Sequence, residues 1–186
     1  MATAIAPAPS YTNMTLEQYL HTSFSPDVDF VDGVIQGRKL GEKDHGRAQG
    51  FVYSWFLARE ASFSLEPVLE YRIIVGENRV RICDVAIVQS DIPDEQVGKT
   101  PPVICVEVMS PEDRLSRAII VLSDYRTLGV PNIWLIDPQE RLAYIYGPSG
   151  LTQQQNLILQ VLGTEIAFDV NDLFADLDKR KNKEKA

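Results

Sequence analysis

Two carboxylates in this chain sit where carboxylates need compensation. Asp84 lies in Arg79-Val-Arg-Ile-Cys-Asp-Val-Ala-Ile-Val88, and Glu107 lies in Val103-Ile-Cys-Val-Glu-Val-Met-Ser-Pro111. Both runs are short, apolar and rich in β-branched residues, which predicts neighbouring buried strands. An ionised Asp or Glu in such a run is costly unless something answers its charge, and two that face each other repel. A divalent cation is the usual answer. Carboxylate oxygens suit Mg²⁺ or Mn²⁺, which keep positions open for water and phosphate, and the backbone carbonyl of Val108, next to Glu107, is placed to be a third ligand. Phosphodiester hydrolysis needs an activated water, neutralised phosphoryl charge and help for the leaving oxygen, all of which a carboxylate-held cation can supply. The bland alternative is structural, with Asp84 bonded to an arginine such as Arg72 or Arg81. Glu107 has no cation close to it in sequence.

The elements that must carry these acids follow from patterning. Thr15-Leu-Glu-Gln18 reads as a capping box opening a short helix through Leu20. Val28–Val31 and Val34–Gln36, joined by Asp32-Gly33, read as a hairpin, because Asp-Gly tolerates positive φ at both turn positions. Glu42 to Glu60 carries Phe51, Val52, Trp55, Phe56 and Arg59 at helical spacing, with His45 in the first turn. Leu65–Val75 and Arg79–Val88 are expected as strands joined by Gly76-Glu-Asn78, followed by an acidic surface loop to Pro102. Glu112–Leu128 reads as a helix closed by Gly129. Strands are expected at Asn132–Ile136 and Ala143–Tyr146, then a closing hairpin at Leu157–Leu162 and Glu165–Phe168. Asn171 or Asp172 should cap a last short helix containing Leu173 and Phe174. This order predicts an α/β fold with a central mixed sheet flanked by helices. It forms one domain over residues 14–176, between a disordered Ala/Pro-rich arm (1–13) and a charged tail (177–186) that is either solvated or a nucleic-acid contact.

Composition bounds the function. At 186 residues and 45% hydrophobic, the chain can bury one sizeable core. Its net charge of −8 gives no general attraction to a polyanion, so any DNA contact must come from a local basic cluster or through bound metal. Cys83 and Cys105 fall inside the apolar strands, as reduced core residues do, which points to the cytoplasm. No apolar run approaches the roughly 20 residues of a membrane span, and no signal-peptide pattern opens the chain.

An Asp followed by Glu-x-Lys on the adjacent strand is the motif of the PD-(D/E)XK nuclease superfamily. More of the chain is similar to one family within it, the putative restriction endonucleases of the Uma-two type. The segments are Thr15-Leu-Glu-Gln-Tyr-Leu20, Asp29-Phe-Val-Asp-Gly33, His45-Gly46, the two apolar runs from Arg79 and from Pro101, Tyr125 with Gly129-Val-Pro131, and Ile133-Trp-Leu-Ile-Asp-Pro138. They keep the family's order over roughly residues 14–147. The resemblance implies a restriction-endonuclease-like core and a Mg²⁺- or Mn²⁺-dependent DNA endonuclease, expected as a homodimer. Asp84 and Glu107 would be ligands, and Asp29 would stand where the family has a Glu.

One departure matters. Met109 occupies the Glu-x-Lys position, and Val121 occupies the helical position to which the family moves that lysine. Arg117, one turn earlier, or Arg114 would have to supply the missing cation, while His45, Arg72 and Arg81 are candidates to contact substrate. Losing such a donor costs on the order of 10²- to 10³-fold in rate. The alternative reading is therefore a nuclease fold kept for binding or assembly, and a third is a structural protein whose acids pair with arginines.

Overall fold

The computed structural model describes residues 13–38, 42–111 and 113–183; the expected disordered arm lies outside them except for Asn13. Helix α1 (Leu16–Leu20) opens on the anticipated capping box. Gln18 N–H donates to Thr15 Oγ1 at 3.1 Å, and Thr15 N–H donates to Gln18 Oε1 at 2.8 Å. Strands β1 (Val28–Val31) and β2 (Val34–Gly37) pair antiparallel across Asp32 and Gly33, whose φ values of 51° and 86° are those the Asp-Gly turn requires. Helix α2 (Lys43–Leu57) buries Ala48, Val52 and Phe56 along one stripe. It ends earlier than its pattern suggests, and a separate short helix α3 (Glu60–Phe63) follows. Arg59 sits at that break, its guanidinium 4.1 Å over the Trp55 ring.

The long strands β3 (Leu65–Gly76) and β4 (Arg79–Gln89) form a hairpin, and β5 (Ile104–Val108) lies beside β4. Helix α4 (Leu115–Leu128), closed by Gly129 at φ 100°, crosses over to β6 (Asn132–Asp137), which pairs parallel to β5. β7 (Leu142–Gly147) and β8 (Gly150–Gln153) extend the sheet antiparallel; β8 had no apolar alternation to announce it. β9 (Ile158–Gln160) and β10 (Ala167–Asp169) make a separate two-stranded sheet. The last helix, α5 (Val170–Lys183), is longer than expected. Asp169, rather than Asn171 or Asp172, caps its start by accepting the Asn171 N–H at 2.9 Å. The segment expected as a tail is helical to Lys183, Leu177 is buried in the core, and Lys181 pairs with Asp44 of α2 at 2.7 Å.

The fold is thus mixed α/β around one sheet. One face packs Val85, Ile87, Val106 and Trp134 against Val52 and Phe56 of α2 and Leu173 and Leu177 of α5. The other packs Cys83, Cys105, Ile133 and Leu135 against Leu122 and Tyr125 of α4. Both cysteines are free and buried.

The decisive feature of the sheet is a fork. β3 covers one edge of β4 along its length, so β1 and β5 must share the other. β1 pairs at Arg79 and Val80, and β5 pairs at Val85 to Ile87. Between them, Arg81 to Asp84 face no strand on that edge. Backbone groups left open there need other partners, and two carboxylates help to provide them. Asp29 Oδ1 accepts the Ile82 N–H at 3.1 Å, and Asp84 Oδ2 accepts the Val108 N–H at 2.8 Å.

Candidate active site

The fork opens into a cavity of about 350 Å³ lined by Asp84 and Glu107 from the adjacent strands. Asp84 is 1% exposed. Its Oδ1 accepts from Arg38 Nη2, and its Oδ2 lies 3.3 Å from His45 Nε2 as well as on the Val108 N–H. Burial alone would raise the Asp84 pKa. The His45 hydrogen bond, the Arg38 charge and the Val108 amide outweigh it, holding the carboxyl below its usual range.

Glu107 is the opposite case. Burial and then the neighbouring Asp84 charge push its pKa well up. Tyr125, on α4, donates to its Oε1 at 2.6 Å, and among the described residues no donor reaches Oε2. Two carboxyls in one pocket therefore have their pKa values driven apart, a common arrangement where acids do different jobs.

Three further residues complete the cluster. Arg38, just past β2, bridges Asp84 and Glu70. Burial opposes its charge, yet Asp84, Glu107 and Glu70 together raise its pKa. Glu70 interrupts β3 opposite Asp84 with φ 49°, a left-handed conformation that a non-glycine residue adopts at a cost of about 1–3 kcal/mol. Its Oε1 accepts from Gln49 Nε2 of α2 at 2.7 Å. For His45, burial works against protonation, but the bond to Asp84 and the charges of Asp84 and Glu70 raise its pKa overall.

The remaining expected residues divide. Asp29 borders the cavity, with its Oδ2 bonded to Arg81 Nη1 at 2.9 Å and its Oδ1 to the Ile82 N–H; as in Asp84, both oxygens accept from protein donors, but those of Asp29 are a buried arginine clamp and a strand amide. Arg81 does not point outward to a phosphate backbone as its alternation suggested. It is 2% exposed and clamped between Asp29 and Asp124, with its Nη2 2.7 Å from Asp124 Oδ2. Burial makes that pairing obligatory, because an unanswered guanidinium there would be very costly. Arg72 lines a separate cleft with Glu66, Tyr71 and Glu95. Arg114 and Arg117 stand exposed at the mouth of the main cavity, and Arg117 Nη2 donates to Gly37 O at 2.9 Å. Val121 and Met109 both line the cavity, so the expected lysine positions contribute apolar wall.

Sequence reasoning gave Arg38, Gln49 and Glu70 no place in the site. Arg38 carried no periodic signal, being the residue after a strand. The positive φ of Glu70 has no signature in side-chain type.

The donor chemistry fits a hard divalent cation held by a few protein oxygens. Among the described residues Glu107 offers Oε2 without a donor, Asp84 is ionised beside it, and Val108 borders the same cavity. Among the described residues, no three or more His, Cys, Asp and Glu side chains form a metal cage.

The Uma2 family, described as putative restriction endonuclease, matches residues 16–174. The chain belongs to this family. Among curated proteins none matches. A solved structure similar to this Uma2 chain is a putative nuclease belonging to DUF820 from Anabaena variabilis, with a TM-score of 0.76 and 20% identity. The likeness covers 87% of this chain and 98% of that one. The likeness shows that the two chains share a fold.

Proposed function

We propose that the chain is a divalent-cation-dependent DNA endonuclease, with Asp84 and Glu107 as the metal-binding side chains and the Val108 carbonyl beside them. One observation carries this reading. Adjacent strands deliver two carboxyls into one cavity, with one held ionised and the other held by a tyrosine. When bound, Mg²⁺ or Mn²⁺ would supply Lewis-acid stabilisation of phosphoryl charge and a more acidic water.

The chain's own groups do the rest. Val108 N–H and His45 orient the Asp84 carboxylate, and Tyr125 orients Glu107. The tyrosine comes from α4, which the Arg81–Asp124 and Arg79–Asp124 contacts tie to β4. Arg114 and Arg117 stand at the mouth to meet a phosphodiester backbone, giving an acidic protein a local basic rim. Cutting both strands at once would take two copies of this single site, so the active form is a homodimer. Among the described residues no helix is long and apolar enough to cross a membrane, and the cytoplasm is the proposed location.

A specific observation favours the second reading, a nuclease fold that binds without turnover. The two positions expected to carry lysine are Met109 and Val121, and both line the cavity. Plasmid nicking in Mg²⁺ or Mn²⁺ decides between them. The proposal expects nicks that disappear in Asp84→Asn and Glu107→Gln. Intact plasmid bound by protein supports the second reading.

A further inference from the structure

We propose that Arg38 is the resting counter-ion of the carboxylate site and its phosphate-binding residue, so that a divalent cation and Arg38 compete for Asp84. This rests on the metal-site reading above.

The geometry is specific. Arg38 is the charged cavity residue whose guanidinium bridges two acids, Asp84 through Nη2 and Glu70 through Nη1. Its side chain is only 20% exposed, whereas Arg114 and Arg117 are exposed at the mouth. The end of β2 that carries it is pinned to α4, because Gly37 O accepts from Arg117. Glu70 is itself fixed, held by Gln49 and by an unusual backbone conformation.

A divalent cation placed on Asp84 answers the charge that Arg38 now answers, and repels the guanidinium. Arg38 need not leave the cavity, since its other branch stays on Glu70. The freed branch then faces the space where a phosphate would lie. A guanidinium fork matches two phosphate oxygens, so Arg38, just past β2, supplies the positive contact that Met109 and Val121 do not. One residue thus keeps the empty site stable and serves the substrate in the loaded one.

Calorimetric titration of Mn²⁺ into wild type, Arg38→Gln and Arg114→Gln tests the competition. Arg114→Gln removes one cavity-mouth charge without touching a carboxylate or the end of β2. Arg38→Gln should bind Mn²⁺ roughly tenfold or more tighter than wild type, the scale of one close charge contact partly offset by desolvation. Arg114→Gln should shift affinity by a few-fold at most. In Ca²⁺, Arg38→Gln should bind labelled duplex DNA about tenfold more weakly by fluorescence anisotropy. Arg38→Lys, which keeps the charge, should retain the wild-type Mn²⁺ affinity while losing DNA affinity, because it lacks the fork. Equal Mn²⁺ affinity in wild type and Arg38→Gln, or equal gains in the two Gln variants, overturns the inference and leaves the metal site standing. No Mn²⁺ binding by any variant overturns both.

Discussion

The Val108 backbone N–H donates to Asp84 Oδ2 at 2.8 Å, binding β5 to β4 through a side chain just where their ladder has ended. Because Val108 follows Glu107, this bond fixes the two carboxyls relative to each other. Asp84→Asn keeps an acceptor for that amide and removes the charge. The fold should survive, and the raised His45 pKa should fall back in an NMR titration, because its bond to Asp84 and that residue's charge help to sustain it. The raised pKa of His45 stabilises the fold fully below the unfolded value of about 6.5, and this contribution is lost as pH rises through the folded one. Wild type should therefore lose part of its stability margin over Asp84→Asn across that window in urea titrations.

Glu107 gives the opposite expectation. Burial and the Asp84 charge raise its pKa well above the usual carboxylate range, so ionising it becomes a stability cost as pH rises through the elevated value. Glu107→Gln should be more stable than wild type above that pH, with Tm higher by about 2–4 °C for each kcal/mol relieved. The advantage should vanish in acid. A bound cation needs the ionised carboxylate, and the raised Glu107 pKa works against it, so Mn²⁺ affinity of wild type should increase with pH. Calorimetry in buffers of different ionisation heat reads the released proton directly.

The Asp29–Arg81–Asp124 clamp predicts stability effects of another size. Asp124→Asn or Asp29→Ala leaves a buried guanidinium underpaired and should cost about 3–5 kcal/mol in urea unfolding. Replacing Arg81 and both acids together with apolar residues should recover much of the loss. If Asp29→Ala instead unfolds like wild type but abolishes Mn²⁺ binding, Asp29 belongs to the metal site after all.

These contrasts mark what the sequence could express. The hairpin at Asp32-Gly33, the capping box at Thr15 and the paired apolar strands were legible because local chemistry dictates them. The placement of Asp84 and Glu107 on neighbouring strands facing one cavity was legible too, since a carboxylate amid Val and Ile is conspicuous wherever the strands go. Asp29 looked equally acidic and equally placed, but its partner Arg81 is 52 residues away in sequence, and no periodicity reports such a pairing. Arg38 and Glu70 converge on Asp84 only because β2 ends beside the fork and β3 twists at a left-handed residue. The length of α5 was readable in principle, as Leu173, Phe174 and Leu177 continue a helical stripe that the surrounding charges obscured.

Val121 offers a gain-of-function test. It lines the cavity on α4 one turn before Tyr125. Val121→Lys should place an ammonium among the acids and speed plasmid nicking by about 10²-fold, the scale of one transition-state donor. Unchanged nicking would mean that the position needs no cation.

The central claim is that Asp84 and Glu107 hold one divalent cation between them. Anomalous diffraction from crystals soaked in Mn²⁺ tests it most directly. The account predicts a single strong peak in the fork, within about 2.0–2.4 Å of an oxygen from each carboxylate, absent in crystals of Glu107→Gln. A fork without a peak at saturating Mn²⁺, with Arg38 still seated on Asp84, would contradict it.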